Sequence, residues 1–267
     1  MTFPISHKQG LMQANRATNP WLVRPRPNRL ANFRLFCFPF AGGGASLFRL
    51  WPAQLPDWVE LCAVQLPGRE TRLREPIHRR IGPLIDELAE AIGTELDKPF
   101  VLFGHSMGAL VAFELARELR RRNLPSPRLL IASGRIAPQL RPRRPPIHTL
   151  PEAEFREELR LLDGTPQALL DHSELMGLFS PIIRADLAVN ATYAYTDEPP
   201  LDLPILALGG QTDPWVHQEE LEGWRLQTNN AFEREQFLGG HFFLQTATAE
   251  LLTVLSRSLT TLQGLPA

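Results

Sequence analysis

The residues best suited to chemistry are Ser106, Asp213 and His241. Ser106 lies in Gly104-His-Ser-Met-Gly108, preceded by the apolar run Phe100 to Phe103 and followed by a helix-forming run from Ala109 to Leu119. Strand, sharp turn and helix in that order make a nucleophile elbow, whose glycines let the backbone turn tightly and leave the serine exposed at the carboxyl end of a strand. A serine hydroxyl is a weak nucleophile until a base takes its proton, and the base in turn needs a third group to orient it. The chemistry implied is acyl transfer through a covalent serine intermediate.

Behind an elbow of this kind the chain order is serine, acid, histidine. His241 follows the strand-like run Phe232 to Phe237 and the pair Gly239-Gly240. The other histidines fit less well: His7 is near the start, His78 precedes Ser106, His105 is inside the elbow, and His148 and His172 fall in a helical segment. His217 stands at a helix start. Asp213 comes directly after the apolar run Ile205 to Leu208, within Gly209-Gly-Gln-Thr-Asp-Pro214, although Asp-Pro is also a common helix-capping pair. The preceding strand ends Ala132-Ser-Gly-Arg135 with no carboxylate, and Asp186, Asp197 and Asp202 follow no strand.

An acyl-transfer site needs two backbone donors for the oxyanion. Met107 N–H, after the nucleophile, is one; the loop Pro39-Phe-Ala-Gly-Gly-Gly44 supplies the other, assigned to Ala41 over Phe40. Phe40 and His105, beside these donors, are expected to contact substrate. The loop does not complete a dinucleotide fingerprint, because Leu47 stands where its third glycine would be, and no phosphate-loop Gly-Lys-Ser/Thr follows. No cofactor and no metal are expected.

The elements that must position these groups follow from hydrophobic patterning. Runs at Phe33 to Phe38, Val59 to Val64, Leu129 to Ser133 and Ile205 to Gly209 read as strands. Leu84, Ile85, Leu88, Ala89, Ile92 and Leu96 mark an amphipathic helix, and Leu251 to Leu262 a closing one. Alternating strands and helices predict an α/β domain over 31–267, a mainly parallel sheet covered on both faces. The segment 136–200 breaks the alternation with two helical patterns, Glu152 to Leu162 and Glu174 to Asn190, between proline-rich joints, and reads as an inserted helical lid. Residues 1–30 are polar and are expected to form a flexible tail.

With 43% hydrophobic and 21% charged residues in 267, the composition is that of a soluble globular protein, and a net charge of −1 argues against a general nucleic-acid binder. No apolar stretch resembles a signal-peptide core or a membrane span, which makes the cytoplasm the default expectation. Cys37 and Cys62 lie in strand-like runs and are expected to be buried thiols without a catalytic role.

Taken in order, Phe38-Pro-Phe-Ala-Gly-Gly43, Pro67-Gly-Arg-Glu70, Gly104-His-Ser-Met-Gly108, Gly164-Thr-Pro166, Leu175, Arg184-Ala-Asp186, Asp213 and Gly239-Gly-His-Phe-Phe243 resemble the type II, or editing, thioesterases of polyketide and non-ribosomal peptide biosynthesis. The resemblance implies an α/β-hydrolase fold with a mobile lid. It further implies hydrolysis of acyl or aminoacyl thioesters on the phosphopantetheine arm of acyl or peptidyl carrier proteins, which clears stalled or misprimed chains. Carrier proteins are acidic, so Arg69, Arg72, Arg74, Arg141, Arg143 and Arg144 are expected to form a docking rim. The alternative is another α/β-hydrolase, an esterase, lipase or acyltransferase acting on small-molecule esters.

Overall fold

The computed structural model describes residues 19–162 and 164–264. Seven strands form one sheet: β1 (Leu22–Val23), β2 (Phe33–Phe38), β3 (Val59–Val64), β4 (Phe100–His105), β5 (Leu129–Ser133), β6 (Ile205–Gly210) and β7 (Phe232–Phe237). Their spatial order is β1-β3-β2-β4-β5-β6-β7, and every pairing is parallel except that of β1 with β3. The inner strands are buried on both faces, which is why they read as unbroken apolar runs. Side chains alternate between two cores: Phe36, Phe38 and Leu102 face one, while Leu35, Cys37 and Phe103 face the other. The first core is closed by α1 (Ile81–Gly93) and α2 (Met107–Arg121), the second by a C-terminal helix described below. β7 is an edge strand, as is β1, and its Glu233, Arg234 and Glu235 interrupt the apolar pattern that marks the inner strands.

Between β5 and β6 the chain forms α3 (Glu152–Leu162), α4 (Gln167–Leu170) and α5 (Ser173–Ala191). Phe155, Leu159, Leu170, Met176 and Ile183 make a small core of their own, distinct from the two sheet cores. The inserted unit is shorter than 136–200, because Ala137 and Val189 belong to the main core and Tyr193 Oη donates to Glu114 on α2 at 2.8 Å. After β6 come α6 (Gln218–Glu222), with His217 as its cap, then α7 (Phe243–Thr246) and the closing helix α8 (Thr248–Gln263).

The expectation of a flexible tail over 1–30 is corrected for 19–30; residues 1–18 lie outside the described residues. β1 pairs with β3, Trp21 and Leu22 enter the core, and Arg24 bonds Glu95 at 2.8 Å. The segment builds no core of its own; it borrows the sheet edge, which composition alone does not reveal. Among the described residues no helix is long and apolar enough to cross a membrane.

Candidate active site

Ser106 stands between the end of β4 and the start of α2 with φ 55° and ψ −114°, a backbone conformation that non-glycine residues rarely adopt. Such strain persists only where the surroundings enforce it. A Cβ at Gly104 would stand 2.1 Å from Gly108 O, and one at Gly108 would stand 2.2 Å from Phe38 O. The two glycines are therefore fixed by close packing of the elbow on itself and on β2. Ser106 N–H donates to Ser133 O at 2.8 Å, so the adjoining strand also holds the turn. Met107 opens α2, where the N–H groups of the first turn have no acceptor within the helix.

Asp213 and His241 come from the loops after β6 and β7, which are docked together: Thr212 N–H donates to Gly239 O at 3.0 Å, and a Cβ at Gly210 would meet Gly240 O at 2.2 Å. His241 Nδ1 lies 2.8 Å from Asp213 Oδ2. The other carboxylate oxygen accepts from Trp215 N–H at 2.8 Å and from Val216 N–H at 3.3 Å, so Asp213 caps its own turn and holds the imidazole at once. The carboxylate orients Nδ1–H towards itself and leaves Nε2 as the basic nitrogen. The His241 ring centroid is 5.3 Å from that of His105, the residue before Ser106.

His105 does not wall a substrate chamber. It is completely buried, with Nδ1 2.9 Å from Ser133 Oγ, and burial, followed by the neighbouring His241, pushes its pKa well down. It is a neutral prop beneath the site. Phe40 is half-buried and stacks edge-on against Phe242 at 4.9 Å; the Phe242 ring lies edge-on to His241 at 5.1 Å. Phe242 also fills the space a side chain at Gly164 would occupy, so the inserted unit touches the residue next to the candidate base.

Ala41 lies in a turn in which Gly43 N–H donates to Phe40 O at 2.9 Å and Gly42 has φ 82°, the pattern of a type II turn with glycine in its third place. Among the described residues Ala41 N–H has no acceptor. The loop is bound at several points: Ala45 N–H to Gln65 Oε1 at 3.0 Å, Ser46 Oγ to Glu70 at 2.6 Å, and Gly42 N–H to Asp186 at 2.7 Å. The sequence pattern gives Asp186 no site role and places Arg69 in a docking rim; the two are 117 positions apart, and only their occurrence in two of the family motifs connects them.

The docking rim is corrected in the same way. Arg69 and Arg72 are buried, Arg69 against Asp186 and Arg72 over the Trp21 ring with Glu75 beside it. Arg74 and Arg141 are exposed, Arg143 pairs with Glu220 at 2.9 Å, and Arg144 lies over Trp215 at 4.1 Å. Cys37 and Cys62 are buried, and burial pushes the Cys62 thiol up to about 12. Among the described residues no group of acidic, histidine or cysteine side chains is arranged to hold a metal.

The thioesterase domain model matches residues 33–259. The chain is 41% identical over 241 residues to the gramicidin S biosynthesis protein GrsT of Aneurinibacillus migulanus, covering 90% of this chain and 94% of that protein. Among solved structures it is similar to RedJ, a thioesterase from the prodiginine pathway of Streptomyces coelicolor, with 41% identity, a TM-score of 0.81 and coverage of 85% and 90%. It is also similar to BorB, a type II thioesterase from the borrelidin cluster, with 35% identity, a TM-score of 0.83 and coverage of 91% and 99%.

Proposed function

The chain belongs to the thioesterase domain family and has the α/β-hydrolase fold, and from that premise we propose that it is an editing thioesterase whose Ser106, His241 and Asp213 hydrolyse acyl or aminoacyl thioesters carried on the phosphopantetheine arm of acyl or peptidyl carrier proteins. The observation that carries the reading is the 2.8 Å contact of His241 Nδ1 with Asp213 at the end of the sheet where Ser106 is held in a strained turn. The relatives named for gramicidin S, prodiginine and borrelidin biosynthesis support the carrier-bound substrate class.

In the first half-reaction His241 Nε2 takes the Ser106 proton as Oγ attacks the thioester carbonyl. Charge develops on the carbonyl oxygen, to which Met107 N–H and Ala41 N–H donate hydrogen bonds. Collapse expels the pantetheine sulfur, which takes the proton from the imidazolium. Water then attacks the acyl-serine with the same imidazole as base, and the free acid leaves. Asp213 holds the tautomer throughout and stabilises the imidazolium.

The test is a hydrolysis panel: carrier proteins loaded with short, long and aminoacyl groups, beside the same acyl groups on small alcohols. We expect release from carriers with the higher kcat/KM. Turnover of the esters with none of the carrier thioesters would move the protein to the ester-hydrolase alternative.

A further inference from the structure

Asp186 takes no part in the proton transfers above, yet it is one of the most deeply buried carboxylates in the molecule, 2% exposed, with Arg69 at 4%. The pair is bidentate: Arg69 Nη1 donates to Oδ2 at 2.5 Å and Nη2 to Oδ1 at 2.8 Å. Burying both charges costs several kcal/mol of desolvation, offset only by good geometry and further hydrogen bonds, and apolar residues of similar size would often serve stability as well. The further bonds all lie in two places. Oδ2 also accepts Gly42 N–H at 2.7 Å, while Arg69 donates to Gly43 O at 3.1 Å and to Pro67 O at 3.3 Å. An ion pair supplies what an apolar pair cannot, a fixed anionic acceptor for one backbone N–H and a fixed donor for the next carbonyl.

Those groups are in the turn that contains Ala41. The peptide between Ala41 and Gly42 is the one whose orientation separates a type II turn from a type I turn, and Asp186 holds its N–H. Asp186 belongs to α5 of the inserted unit. The same helix presses on the turn through Ile183, whose Cγ1 would be 2.8 Å from a Cβ on Gly42.

We propose that Asp186 is a positioning residue: clamped by Arg69, it ties the lid helix to the Phe40–Gly43 turn and sets Ala41 N–H as the second oxyanion donor, so that the hole is complete only while the lid is seated. This rests on the assignment of Ala41 made under the proposed function. An acyl chain that seats α5 would thereby complete the hole, and an open lid would leave Ser106 with one donor.

The experiment compares wild type with Asp186→Ala, Asp186→Asn and Arg69→Gln. It measures kcat and KM on an acyl thioester, and affinity for two matched ligands: an acyl trifluoromethyl ketone, which forms a tetrahedral oxyanion adduct on serine, and a thioether that lacks the carbonyl. Removing an oxyanion donor outright costs roughly 10²–10³-fold in kcat, so a displaced donor in Asp186→Ala should cost about 10–100-fold. KM should stay within about threefold, because the missing interaction belongs to the transition state. Ketone affinity should fall by the same factor as kcat/KM while thioether affinity holds. Asp186→Asn, which keeps an oxygen for Gly42 N–H, should lose less, and it carries the test if Asp186→Ala does not fold. Equal loss of both ligands, or a lowered Tm with kcat and ketone affinity unchanged, would overturn the proposal and leave the pair as a structural pin of the lid. A wild-type enzyme that forms no ketone adduct on Ser106 would instead overturn the serine mechanism, and this proposal with it.

Discussion

The two sides of the candidate oxyanion hole are built from different materials. Ser106 and Met107 are set by backbone alone: β4, the strained turn, and two glycines packed against main-chain carbonyls. Ala41 sits in a turn held by side chains that arrive from elsewhere, Gln65 and Glu70 from the loop after β3 and Asp186 from the inserted helices. A backbone-built feature moves only if the sheet moves. A feature held by a lid carboxylate follows the lid, so one part of such a site can be permanent while another is conditional on what is bound.

Removing the nucleophile should have the largest effect. Ser106→Ala is expected to lose about 10⁶-fold in kcat, as serine knock-outs in other triads do, and to lose phosphonate labelling. Asp213→Asn should keep the fold and fall by about 10⁴-fold, because the imidazole is then held in the wrong tautomer. Circular dichroism beside steady-state kinetics distinguishes this from unfolding. An unchanged rate would move the acid elsewhere.

Glycine-to-alanine changes sharpen the contrast between the sheet and the inserted unit. At Gly108 the new methyl would stand 2.2 Å from Phe38 O, and the elbow cannot yield without shifting β2. Stability should fall by about 3 kcal/mol or more, read by denaturant unfolding. At Gly177, inside α5, nothing lies within 4 Å, so alanine should stabilise that helix by up to about 1 kcal/mol. Amide exchange should follow the same division, faster in α3, α4 and α5 over their small separate core than in β2, β4 and β5. Protection equal to that of the strands would count against a mobile lid.

A further effect expected is a pH dependence of stability from His105. Burial holds its folded pKa below the unfolded value of about 6.5, so the unfolded state binds more protons once the pH drops beneath that value. Stability should be full above about pH 6.5 and decline below it, by at most about 1.4 kcal/mol per pH unit for this one group. His105→Asn should flatten that limb of the profile without shifting the upper one.

What was legible in the sequence was what depends on local order. The strands β2, β3 and β5, the elbow and the loops bearing Asp213 and His241 follow from apolar runs broken by glycine, because an element buried on both faces leaves an unmixed signature. What was not legible depends on pairs distant in the chain. Nothing local says that Arg69 turns inward to Asp186, or that Trp21 reaches the core, and a polar segment next to an unpaired sheet edge looks like any tail. The expectation that His105 contacts substrate fails for a related reason: adjacency to Ser106 in sequence does not show that its ring, at the last position of β4, turns into the buried interior against Ser133 Oγ.

The central claim is that Ser106 carries the acyl group between thioester and water. Rapid-quench intact mass spectrometry of the wild-type protein mixed with an acyl-loaded carrier protein tests it most directly. The expected result is a transient adduct of one acyl mass, mapped to the peptide containing Ser106, that rises before the free acid and is absent from Ser106→Ala. Free acid released at the wild-type rate by Ser106→Ala, or an adduct on another residue, would contradict it.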